Sequence, residues 1–110
     1  MDFQMDSVFD EQNNGWQVSL SGEIDIFNSN GLKKQLNDIF EQKAASLFIN
    51  CKLLEYIDST ALGALVSVLK TVKNAGYEMH LCSVKPNLMR LFRITHLDQV
   101  FIIEEGSGDV

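Results

Sequence analysis

Positive charge is scarce in this chain. Nine lysines and arginines stand against fifteen aspartates and glutamates, which leaves a net charge of −6 and a pI near 4.7 over 110 residues. A nucleic-acid binder needs a basic surface to displace counterions from phosphate, so that class is excluded. Long apolar runs are missing too: nothing approaches the ~20 residues of a membrane-spanning helix. The N-terminus has neither the basic nor the apolar segment of a secretory signal, which points to a cytoplasmic protein. Cysteine is limited to Cys51 and Cys82, in strand-like segments without metal-ligand spacing. They read as reduced thiols in or near a core rather than as a disulfide. No P-loop, dinucleotide fingerprint, zinc-binding helix motif or nucleophile elbow occurs. His80 reads as a solvent-facing strand residue and His96 as a loop or helix-end residue, so neither marks a site. Neither enzymatic activity nor a bound metal or cofactor is expected.

What is present describes a soluble domain. Apolar residues make up 45% of the chain and charged ones 22%, the balance of a globular protein with its own core. One domain over residues 1–110 is expected, with Glu104 to Val110 as a polar, loosely ordered tail.

The most informative stretch is Ile57-Asp58-Ser59-Thr60-Ala61-Leu62-Gly63. Three small polar residues separate the strand-like Leu47-Phe48-Ile49 from a run with Leu62, Leu65, Val66, Leu69 and Val72 on one helical stripe. Asp58, Ser59 and Thr60 are residue types that satisfy free N–H groups at a helix start. A hydroxyl there meets backbone donors and the positive end of the helix dipole, a place that tolerates an added phosphate. A plain helix cap accounts for the same residues. Gly63, however, costs ~1 kcal/mol in a helix relative to Ala, and Ala61, Gly63 and Ala64 leave the helix start bare. The face formed by Gly63, Ser67, Lys70 and Asn74 points away from the apolar stripe and is available to a partner.

Elsewhere the pattern is regular. Phe3 and Met5 alternate weakly with polar residues, and Asn13-Asn14-Gly15 signals a two-residue hairpin turn. Trp16, Val18 and Leu20 then alternate with Gln17, Ser19 and Ser21, so the chain opens with a β-hairpin; Trp16 reads as packing. Gly22-Glu23-Ile24-Asp25 leads into a loop in which Asn28, Ser29 and Asn30 are plausible caps. Leu32, Leu36, Ile39 and Phe40 form the apolar face of the next helix. Leu47-Phe48-Ile49 reads as a central strand buried on both faces. The helix after Asp58 closes with Lys70, Lys73 and the terminator Gly76. Met79 and Leu81 mark a strand, Pro86 the first position of a helix with Leu88, Leu91 and Phe92 inward, and Val100-Phe101-Ile102-Ile103 a last strand. The order β-β-α-β-α-β-α-β implies an α/β fold with a mixed, partly parallel sheet and right-handed crossovers. In such folds the strand ends gather loops along one edge, where Glu23, Asp25 and Asp58 could converge. Solvated turn carboxylates are the simpler reading of those three.

Asp58-Ser59-Thr60-Ala61-Leu62-Gly63 resembles the signature of the anti-sigma-factor antagonists, single-domain members of the STAS group. Gly22-Glu23-Ile24-Asp25 is similar to a second motif of that family, and Arg90-Leu91-Phe92 between Pro86 and Leu97 to a third. Together they span nearly the whole chain in the family's order. The resemblance implies a STAS-like fold and a switch. Family members bind an anti-sigma factor that is also a serine kinase and so release a sigma factor. Phosphorylation of the serine after the aspartate, here Ser59, abolishes binding, and a serine phosphatase resets it. Ala61 stands where a glycine is common, and Thr60 offers a second hydroxyl, which makes it the alternative acceptor. The expected partner surface comprises Asp25, Ile26, Phe27, Asp58, Ser59, Thr60, Gly63, Ser67 and Lys70. The resemblance also allows a scaffold or accessory subunit of a stress-signalling or transporter complex. A weak nucleotide-binding module lacks a phosphate-cradling glycine loop.

Overall fold

A computed structural model describes residues 2–106. Five strands and three helices follow one another as β1 (Phe3–Asp10), β2 (Gly15–Ile24), α1 (Ser29–Gln42), β3 (Ser46–Ile57), α2 (Ser59–Asn74), β4 (Met79–Val84), α3 (Pro86–Ile94) and β5 (Ile102–Glu105), with a short 3-10 turn at Leu97–Gln99 before β5. The sheet order is β1-β2-β3-β4-β5. β1 pairs antiparallel with β2, and β2 through β5 run parallel. Parallel neighbours require crossovers, and α1, α2 and α3 supply them.

The hairpin is present, but its turn is longer than two residues. Asp10 pairs with Gly15, so Glu11 to Asn14 form the connection. The Asp10 carboxylate accepts from the Gln12 N–H at 3.0 Å and from the Asn13 side-chain amide at 2.6 Å. An aspartate that braces the loop stabilises the wider turn, and of the loop residues Asn14 alone takes positive φ, at 50°.

One sheet face is buried and the other is not. Trp16, Val18 and Leu20 of β2, Leu47, Ile49 and Cys51 of β3, and Met79 and Leu81 of β4 pack with the helix residues Leu32, Leu36, Leu62, Leu65, Leu69, Leu88 and Phe92 in one core. The Trp16 indole N–H donates to the Lys43 carbonyl at 2.9 Å, and its ring meets Phe9 edge-on. On the other face Gln17, Ser19 and Asn50 are exposed, and Phe48 is half-buried, stacked on His80 with ring centroids 4.7 Å apart. The expected burial of Leu47-Phe48-Ile49 on both faces is therefore corrected: Leu47 and Ile49 are inside and Phe48 belongs to the open face. Cys51 and Cys82 are both free thiols. Cys82 is half-exposed on the open face while Cys51 lies in the core.

β3 is a twelve-residue strand, far longer than its apolar segment. Its pairing with β2 slips between Ser19 and Ser21 and again between Gly22 and Glu23. Extra residues on β3 are bulges, and the Asn50 side chain accepts the Lys52 N–H at 2.9 Å where the ladder is interrupted. Burial then falls on Cys51, Leu54 and Ile57, three apart rather than two. That spacing hides the strand from an alternation test. It also brings Ile57 opposite Ile24, which sets the end of β3 beside the end of β2. β5 starts two residues later than Val100 and includes Glu104 and Glu105, so the expected polar tail begins later; residues 107–110 lie outside the described residues.

Candidate functional site

Two chain crossings build the site, the β2–α1 loop and the start of α2. Gly22 makes the first crossing feasible. Its φ is +91°, and a Cβ there would lie 2.3 Å from the Asp2 carbonyl, which instead accepts the Glu23 N–H at 2.9 Å. Neither that backbone nor that approach is open to a side chain.

From Asp25 to Ser29 the loop braces itself. The Asp25 N–H donates to the Asn28 side-chain oxygen at 2.8 Å, the Phe27 N–H to the Asp25 carboxylate at 2.9 Å, and the Asn28 amide to the Glu23 carbonyl at 3.0 Å. The N–H groups of Asn28 and Ser29 donate to the Asp25 carbonyl. Asn28 thus precedes α1 without capping it by its side chain; it closes the loop instead. Ile26 and Phe27 project from this frame, 61% and 91% exposed.

Asp58 joins the crossings. Its N–H donates to the Ile24 carbonyl at 3.2 Å. One carboxylate oxygen accepts the Ala61 N–H at 2.8 Å and caps α2; the other accepts the Ile26 N–H at 3.0 Å. Ser59 and Thr60 follow in the first turn, both exposed. Of the three candidate caps, Asp58 is the one used, and Ser59 is exposed in the first turn. Ala61 is fully buried, which corrects the expectation that it helps leave the helix start bare. Gly63 and its neighbours on that face fit the expectation better: Gly63 and Lys70 are exposed, Ser67 is half-buried, and a Cβ on Gly63 would meet nothing within 4 Å. The structure therefore brings Asp25, Ile26, Phe27, Asp58, Ser59 and Thr60 together by hydrogen bonds and adjacency, while Gly63, Ser67 and Lys70 continue along the outer face of α2.

The bond from Asp58 to Ile26 links residues 32 apart and has no local sequence signal. The Asp25 and Asp58 carboxylates are each engaged by backbone N–H groups, as turn residues would be. Among the described residues no group of three or more His, Cys, Asp or Glu could hold a metal ion. No helix among them is long and apolar enough to cross a membrane.

The model of the STAS domain family matches residues 8–109. The chain belongs to the STAS family. Among relatives of this STAS domain, the anti-sigma-B factor antagonist of Bacillus subtilis is 37% identical over 97 residues, covering 88% of each chain. A solved structure from Thermotoga maritima superposes with a TM-score of 0.78 at 26% identity, covering 94% of this chain and 87% of that one. The Bacillus protein SpoIIAA shares the fold at 17% identity in its unphosphorylated form and 18% in its phosphorylated form. The TM-score is 0.66 in both cases, with 90% and 94% of this STAS domain covered, against 97% and 91% of SpoIIAA.

Proposed function

We propose that this STAS domain is an anti-sigma-factor antagonist in the cytoplasm. It binds an anti-sigma factor that is also a serine kinase, releases a sigma factor, and loses the partner when Ser59 is phosphorylated. The observation that carries the reading is the exposed Ser59, one residue past the Asp58 cap that also holds the loop of the projecting Ile26 and Phe27. The 37% identical relative named an anti-sigma-B factor antagonist supports the partner class. The chain acts by binding rather than as an enzyme; ATP and magnesium come with the kinase, and a serine phosphatase reverses the step.

The physics of the switch is local. A phosphate adds about −1.5 to −2 charges to a chain already at −6, next to Asp58 and near Asp25. The free N–H groups of the first turn of α2 can stabilise it, so the fold survives. A partner packed over Gly63 and the β2–α1 loop would instead bury an unpaired dianion, whose desolvation and repulsion oppose binding without any rearrangement.

The test is incubation with the kinase, ATP and magnesium, followed by phosphopeptide mass spectrometry and partner capture. Phosphate is expected on Ser59, with binding retained by Ser59→Ala and lost by Ser59→Asp. Phosphate confined to Thr60, or normal capture by Ser59→Asp, would refute the assignment.

A further inference from the structure

Within the β2–α1 loop the N–H groups of Asp25, Phe27, Asn28 and Ser29 are all satisfied by the loop's own atoms. Ile26 is different, because its N–H is satisfied from outside, by the Asp58 carboxylate. The same carboxylate holds the first turn of α2 through Ala61. An isolated loop would gain by folding Ile26 and Phe27 away from water, since apolar surface is stabilised by burial. Here both side chains stand out, Phe27 at 91% exposure, on a backbone with no unsatisfied N–H from Asp25 to Ser29. A well-braced loop that holds an aromatic in solvent is the form of a docking anchor: a large apolar side chain that enters a partner's pocket without first being ordered.

We infer that Asp58 is a positioning residue for recognition, one carboxylate that fixes the Ile26–Phe27 anchor at a set place relative to the Ser59 acceptor. The anchor and the acceptor then form one surface, and the partner it fits carries an apolar pocket next to the groove that receives Ser59. This rests on the antagonist reading for the identity of the partner, but not for the coupling itself. A carboxylate is needed because two N–H groups from different elements converge on it. Asparagine has one acceptor oxygen and would face the second N–H with a donor. Serine can cap the helix, but its single, shorter-reaching oxygen cannot also hold Ile26. Asp58→Ser therefore cuts the link to the loop while keeping α2 capped.

Two measurements on the full chain test this. In the free protein, amide hydrogen exchange at Ile26 should accelerate at least tenfold in Asp58→Ser, with the amides of α2 after Ala61 unchanged. An unchanged Ile26 amide would overturn the inference, as would general acceleration through α2, which would make Asp58 a cap and nothing else. The second measurement is calorimetric binding to the anti-sigma-B factor of Bacillus subtilis. Phe27→Ala should weaken it at least tenfold, Asp58→Ser about fivefold or more, and the double variant no more than about twofold beyond Phe27→Ala, because Asp58 acts through the anchor. Independent losses that multiply would overturn the inference. Absence of binding by the unaltered chain would count against the antagonist reading with this partner, a result distinct from multiplied losses, and the exchange experiment would still decide the coupling.

Discussion

Replacing Gly63 by alanine isolates the question of why the helix start is bare. The residue is the fifth of the sixteen in α2, inside the helix, where glycine is less favourable than alanine by about 1 kcal/mol. The added Cβ meets nothing within 4 Å, so no steric term offsets that gain. Nor does the backbone need glycine here, since its φ is helical and no positive value occurs at this position. Gly63→Ala should therefore raise stability by about 1 kcal/mol, which for a domain near 100 residues is a rise of about 4–8 °C in Tm. A thermal melt followed by circular dichroism reads it directly. An unchanged or lowered Tm would refute the reasoning, because it would mean that something in this chain already occupies the space. A rise would mean that the missing methyl serves an approach from outside. The companion variant Gly63→Trp should then stay folded and lose the partner. If it is folded and binds normally, the outer face of α2 is not the interface.

Three further outcomes follow from the same geometry. Asp58→Ala should cost about 0.5–2 kcal/mol in urea unfolding, the usual worth of an N-cap, because it strips the acceptor from Ala61. Ser59→Ala should cost no more than about 0.5 kcal/mol, as an exposed surface change; equal losses from the two variants would contradict the cap assignment. The Cys51 thiol is pushed up to about 12 from 9.0, first by burial and then by nearby Cys82. Its folded pKa lies above the unfolded one, so its stabilising effect is complete below pH 9 and is lost as pH rises toward 12. Urea unfolding of Cys51→Ala should therefore lack that part of the alkaline decline, and identical pH profiles would exclude it.

What the sequence makes legible is whatever repeats locally. The stripe of Leu62, Leu65, Leu69 and Val72 announces α2, and Trp16, Val18 and Leu20 announce β2, because each period matches a single element with one buried face. β3 was half hidden because two bulges change its inward spacing at Cys51, Leu54 and Ile57, and a test for alternation fails on a bulged strand. The Asn-Gly pair signals a short turn, whereas the Asp10 carboxylate selects a longer one over Glu11 to Asn14. The site divides in the same way. Asp58 as a cap is visible from residue type and position. The second bond of Asp58, to Ile26, depends on β3 ending beside β2, a tertiary fact with no local trace. The burial of Ala61 is likewise decided by what packs beneath the first turn.

A sheet whose spatial order repeats its chain order has a consequence for how the molecule comes into being. No strand must be held open for a later one to insert; each lays its edge against the strand before it, separated by one helix at most. On a ribosome, β1 to β3 can pair before β4 has emerged. Ile26 and Asp58 both precede β4, so the bond between them is available at mid-synthesis. Until β4 arrives, however, the far edge of β3 is an unpaired template for any passing strand. A ribosome pausing there would expose an almost assembled sheet with one adhesive side.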